Sequence, residues 1–126
     1  MDVARSERGW GGHFIGAASC LFRRNTLLSC NGVEIVVSTV GLMQNPKNDG
    51  FMAIGAHERY YETMAFHSDK GERYRDADVS KEIFFNSEWA INMIDADDKA
   101  NEMHEMVCNE ITVNLASGET YPQEDK

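Results

Sequence analysis

The stretch Thr26-Leu27-Leu28-Ser29-Cys30-Asn31-Gly32-Val33-Glu34-Ile35-Val36-Val37-Ser38-Thr39-Val40 decides the fold. Asn-Gly tolerates the two positive φ angles of a type I′ turn, whose twist matches that of paired strands. A hairpin closed at Asn31-Gly32 pairs Cys30 with Val33, Leu28 with Ile35, Thr26 with Val37 and Arg24 with Thr39. Strand side chains alternate, so Leu28, Cys30, Val33, Ile35 and Val37 share one face, while Arg23, Asn25, Ser29, Glu34 and Ser38 share the other. The first face is the expected core.

Working outward, Gln44-Asn45-Pro46-Lys47-Asn48-Asp49-Gly50 concentrates turn-forming residues and marks a second connection. Glu58 to His67 reads as a further strand, with Tyr60, Glu62, Met64 and Phe66 on one side and Arg59, Tyr61, Thr63, Ala65 and His67 on the other. The loop Ser68 to Arg73 returns the chain as a strand from Tyr74 to Val79, and Ile83-Phe84-Phe85 continues the apolar material. Asn86 or Ser87 can cap a short helical turn through Trp89 and Ile91. A longer helix starts near Asp97 or Asp98 and carries Ala100, Met103, Val107, Ile111 and Leu115 as one stripe, stopped by Ser117-Gly118. The expected class is α+β: an antiparallel β-sheet with a short helix and one longer C-terminal helix packed on it. One domain is expected over 1–126, frayed at 1–7 and 119–126.

The 126 residues include 21 acidic and 12 basic side chains, a formal charge of −9. That charge opposes a nucleic-acid polymer, whose binding draws on many Lys and Arg neutralising phosphates. It does not oppose a small anionic ligand, which two or three converging arginines can hold. Met1 is followed by charged residues rather than a basic and then apolar run, and no apolar stretch approaches a membrane span, so no membrane association and a cytoplasmic location are expected. Cys20, Cys30 and Cys108 are odd in number and lack CxxC spacing, which predicts reduced, buried thiols.

Four histidines, His13, His57, His67 and His104, form neither HExxH nor a zinc-finger spacing, so no metal site is expected. Asp95-Ala96-Asp97-Asp98-Lys99 opens like a calcium loop but has Lys99 at a ligand position and lacks the glycine, so helix capping accounts for it better. Gly9-Trp10-Gly11-Gly12 is not a phosphate loop, and no GxSxG elbow or Cys-His pair offers a nucleophile. Asp76 and Asp78 share one face of a strand, as metal-dependent phosphodiester hydrolysis would need, without a partnering Lys or His at recognisable spacing. What stands out is a polar and aromatic set: Arg23, Arg24 and Asn25, Arg59 beside Tyr60 and Tyr61, then Phe84, Phe85, Asn86, Trp89 and Asn92. Rings stack on bases while Arg and Asn bond phosphate and ribose oxygens, so convergence of this set would make a nucleotide pocket. The other reading makes the aromatics core and the arginines surface ion pairs.

Six segments together resemble a phage-encoded family: Gly9-Trp10-Gly11-Gly12-His13-Phe14, Cys20-Leu21-Phe22-Arg23-Arg24-Asn25-Thr26, Val37-Ser38-Thr39-Val40-Gly41, Arg59-Tyr60-Tyr61-Glu62-Thr63-Met64, Asp76-Ala77-Asp78-Val79 and Ala100-Asn101-Glu102-Met103-His104-Glu105. They are similar to the first type of Thoeris anti-defence protein, the sponge that captures the cyclic ADP-ribose signal of bacterial TIR-domain enzymes. The similarity runs over about residues 8 to 116. It implies a non-enzymatic homodimer or higher homo-oligomer, up to a hexamer, without cofactors, acting in the cytoplasm of the infected bacterial host, with pockets at the dimer interface that hold a cyclic ADP-ribose isomer. Some members also hold cyclic oligonucleotides at separate sites. By the resemblance, Phe84 or Phe85 stacks on adenine, Asn86 or Asn92 bonds the ligand, and arginines hold its phosphates. The stretch Asp98 to Leu115 contains no arginine, a departure from the family pattern that leaves Arg23, Arg24 or Arg59 to supply the charge. A reading from another class is an acidic inhibitor that docks directly on a bacterial defence protein, steered by its net charge.

Overall fold

The computed structural model describes residues 2–8, 20–45, 47, 51–52, 61–68, 77–82 and 96–121. Among the described residues seven elements follow in order: β1 (Ala4–Glu7), β2 (Cys20–Cys30), β3 (Val33–Gln44), β4 (Phe51–Met52), β5 (Tyr61–Ser68), β6 (Ala77–Glu82) and α1 (Ala96–Ala116). All strand pairs are antiparallel, in the order β1-β2-β3-β5-β6, with β4 paired to β3. With α1 packed on the sheet, this is the α+β class read from the sequence. The expected short helix after Asn86 lies outside the described residues.

The β2–β3 hairpin turns at Asn31, φ 50°, and Gly32, φ 81°. Its register is the expected one, from Cys30↔Val33 through Leu28↔Ile35 and Thr26↔Val37 to Arg24↔Thr39. β5 then pairs with β3 from Ile35↔His67 to Gly41↔Tyr61. Leu28, Cys30, Ile35, Val37 and Ala65 therefore meet Val107, Cys108, Ile111 and Leu115 of α1 in one buried cluster. Each fully buried Leu, Ile or Val contributes about 1.5–3 kcal/mol relative to exposure.

The opposite face is buried as well. Val36, Val40 and Phe66 are at most 3% exposed, and Asn25, Ser38 and Glu62 at most 8%. The central strands are buried on both faces, which the near-continuous apolar run of β3 suits. Gly41 is required at its place: a Cβ there would lie 2.2 Å from Cδ1 of Tyr61. The Tyr61 ring lies against the β3 backbone and meets Phe22 edge-to-face at 5.8 Å.

α1 ends in a Schellman motif. Gly118 adopts φ 103°, its N–H donates to the Leu115 carbonyl at 3.1 Å, and the Glu119 N–H donates to the Asn114 carbonyl at 2.9 Å. The following residues are tied down rather than frayed as far as Tyr121. Its backbone carbonyl accepts from His67 Nε2, and its hydroxyl accepts from Asn114 Nδ2 at 2.7 Å. Residues 4–7, also expected to fray, instead form β1, because long-range ion pairs and backbone pairing hold a segment with no apolar pattern. β6, Ala77–Glu82, overlaps the expected strand Tyr74–Val79 at Ala77–Val79 and continues to Glu82, residues 74–76 lying outside the described residues, and its pairing with β5 carries an irregularity between Phe66 and Ser68. Cys20, Cys30 and Cys108 are buried free thiols, as expected.

Candidate functional site

β2 divides the sequence candidates between its two faces. Arg24 faces α1, whereas Arg23 and Asn25 belong to the opposite face, in register with Val40 and Ser38 of β3. Asn25 is buried at 5% exposure and Arg23 is half-buried. The next row on that face places Glu62 beside Val40 and Met64 beside Ser38. Arg59, Phe84, Phe85, Asn86, Trp89 and Asn92 lie outside the described residues, as does Asp76. Among the three described candidates, Arg23 and Asn25 share one face and Arg24 lies on the other.

Arg24 is engaged within the fold. Its Nη2 donates to Glu7 Oε1 at 3.0 Å and to Glu105 Oε2 at 2.6 Å, and its Nη1 donates to Asn101 Oδ1 at 3.3 Å. Arg5 forks onto Glu105 at 2.9 and 2.5 Å and also reaches Glu7 at 3.1 Å. Two arginines and two glutamates thus balance in charge across β1, β2 and α1. Hydrogen bonding from Arg5 holds the Glu105 carboxyl down at about 2 despite some desolvation. Burial pushes Glu7 up, but hydrogen bonds from Arg24, Arg5 and Thr26 outweigh it and leave the carboxyl below its usual range.

Beneath this cluster lies His104, fully buried. Its Nε2 is 2.7 Å from Thr26 Oγ1 and its Nδ1 is 2.8 Å from Thr39 Oγ1, which is in turn 2.8 Å from Thr63 Oγ1. Thr26 Oγ1 also lies 3.0 Å from both carboxylate oxygens of Glu7. An ionised carboxylate only accepts, so the Thr26 hydroxyl donates to Glu7 and must accept from Nε2–H of His104. The neutral ring then accepts at Nδ1 from Thr39, whose oxygen accepts from Thr63. Donation runs in one direction from Thr63 to Glu7, a polarity assigned by satisfying every group.

Burial, then the charge of Arg24, pushes His104 down to about 4. An unfolded histidine takes its proton near 6.5. Between those values the unfolded chain binds more protons, so stability falls as pH falls, by up to about 1.4 kcal/mol per pH unit. The Glu105 contribution is present above about 4.5 and is lost as pH falls toward about 2. An acid titration of the melting temperature is therefore expected to descend in two stages, and His104→Gln to remove only the upper one. A single descent starting below pH 5 in the unmodified protein would contradict this assignment.

Sequence reasoning missed His104, although it lies four residues after Ala100 and four before Cys108, on the buried stripe of α1. Among the described residues no three His, Cys, Asp or Glu side chains group as metal ligands, and no helix is long and apolar enough to cross a membrane. No protein-family model matches the chain, and no curated protein or solved structure matches it either.

Proposed function

We propose that the protein is a phage immune-evasion sponge that binds a cyclic ADP-ribose isomer, and in some settings a cyclic oligonucleotide, without cleaving it. It would act in the cytoplasm of the infected host as a homodimer or a higher homo-oligomer such as a hexamer. The resemblance of its segments to the Thoeris anti-defence family motivates the reading. The structural observation that supports it is the placement of Arg23 and Asn25, roughly 7 Å apart along one strand, on the sheet face turned away from α1. A cation and an amide so spaced suit a phosphate and a neighbouring ribose or base. Arg59, Phe84, Phe85, Asn86, Trp89 and Asn92 complete the pocket in this reading. Arg24, on the face toward α1 and bonded to Glu7 and Glu105, stands apart from this pocket.

Incubation with cyclic ADP-ribose isomers, followed by chromatography before and after heat denaturation, tests the proposal. The expected result is depletion of intact ligand and its release on heating; converted products would instead indicate an enzyme. Arg23→Ala is expected to weaken capture by about one to two decades, since a hydrogen bond to a charged group is worth about 1.5–3 kcal/mol. Arg23→Ala and Arg24→Ala each keeping full affinity and the same oligomer mass would remove this strand from the site. The reading as an acidic inhibitor keeps one observation in its favour: the outer face of α1 exposes Met106 and Val113 at 62% and 67%, flanked by Glu102 and Glu110. No ligand depletion would favour that reading.

A further inference from the structure

β1 is four residues long and exposed throughout, yet it reaches the most deeply buried polar group among the described residues of α1. Its fastening has two parts. Backbone pairing with β2 runs from Ala4↔Ser29 to Glu7↔Thr26, and the Arg8 N–H donates to the Asn25 carbonyl at 2.7 Å. Side chains add Arg5 on Glu105 and Glu7 on Arg24. Glu7 alone among them continues inward, because both of its oxygens lie at 3.0 Å from the Thr26 hydroxyl.

That hydroxyl has one proton to give. While Glu7 is docked the proton goes to the carboxylate, and His104 must present Nε2–H to Thr26. Without Glu7 the same hydroxyl is free to donate to Nε2, which suits the other neutral tautomer. Nδ1–H would then donate to Thr39, whose hydroxyl turns toward Thr63. All groups stay satisfied in either arrangement, so the chain has two self-consistent polarities and Glu7 selects between them. The groups facing this chain are Arg5 and Glu7 from β1, Arg24 from β2, and Glu105 and the Cys108 thiol from α1.

We propose that β1 is a strap whose Glu7 carboxylate sets the tautomer of His104, so that docking of this edge strand and seating of α1 on the sheet are coupled. His104 is tied to β2 and β3 through Thr26 and Thr39, so its proton arrangement belongs to the joint between helix and sheet. The coupling is independent of any ligand.

Imidazole ¹⁵N shifts distinguish a protonated ring nitrogen from one bearing a lone pair, and they read the tautomer directly. The unmodified protein at neutral pH is expected to show one form for His104, protonated at Nε2. Glu7→Gln keeps an acceptor and is expected to leave that form in place. Glu7→Ala is expected to shift the ring wholly or partly to the Nδ1–H form, with amide exchange at residues 4–7 rising in parallel. Thr39→Val deletes the hydroxyl at the far side and is expected to keep Nε2–H, because selection comes from Glu7. An Nδ1–H form in the unmodified protein, an unchanged Nε2–H form in folded Glu7→Ala, or a switch in Thr39→Val would each overturn the proposal. If Glu7→Ala does not fold, the unmodified protein and Thr39→Val decide it.

Discussion

Replacing His104 with alanine is expected to lower stability by about 3–5 kcal/mol, read by urea denaturation at neutral pH. Two losses combine. The ring is fully buried between α1 and the sheet, and its removal leaves a void that close-packed neighbours fill only in part. It also withdraws a donor from Thr26 and an acceptor from Thr39, both fully buried hydroxyls. An unsatisfied buried polar group costs about 1–3 kcal/mol. His104→Gln, which keeps a donor and an acceptor on a slimmer side chain, is expected to lose less. A loss below about 1 kcal/mol for the alanine variant would mean that the relay does not hold the helix.

Phe66→Ala carries the second large expected effect, again about 3–5 kcal/mol. Phe66 is fully buried on β5, but on the face opposite α1, in register with Val36 of β3. Its truncation therefore measures packing that owes nothing to the helix. The same urea titration serves. A cost comparable to that of an exposed site, within about 0.5 kcal/mol, would show that this face is open in solution.

The hairpin was legible because two independent signals coincide at Asn31-Gly32: a dipeptide that accepts positive φ twice, and apolar residues alternating in phase on both sides. The stripe of α1 was legible for a similar reason, and Ala100, Val107, Ile111 and Leu115 are all buried. β1 was not. Ala4-Arg5-Ser6-Glu7 has no apolar alternation, and the partners of its charged side chains lie as far away as Glu105, a distance that local patterning does not see. The double-sided burial of β3 had a signal, since Ile35-Val36-Val37 places apolar residues on both faces. Arg23 and Arg24 show the limit of strand alternation as a guide to function. Alternation correctly sends them to opposite faces, but only the ion pairs reveal that Arg24 is engaged within the fold.

Burial of the three cysteines has a consequence for chemical labelling. Thiolate is the species that reacts, and burial pushes the Cys20 and Cys108 thiols up to about 11. Cys20 begins β2, Cys30 adjoins the hairpin turn with its Sγ donating to the Leu115 carbonyl at 3.6 Å, and Cys108 lies on the inner side of α1. An alkylating reagent therefore modifies each one only during an opening that bares it. Comparing the three labelling rates maps which seams separate alone and which part together, a clock of local opening built into the native sequence.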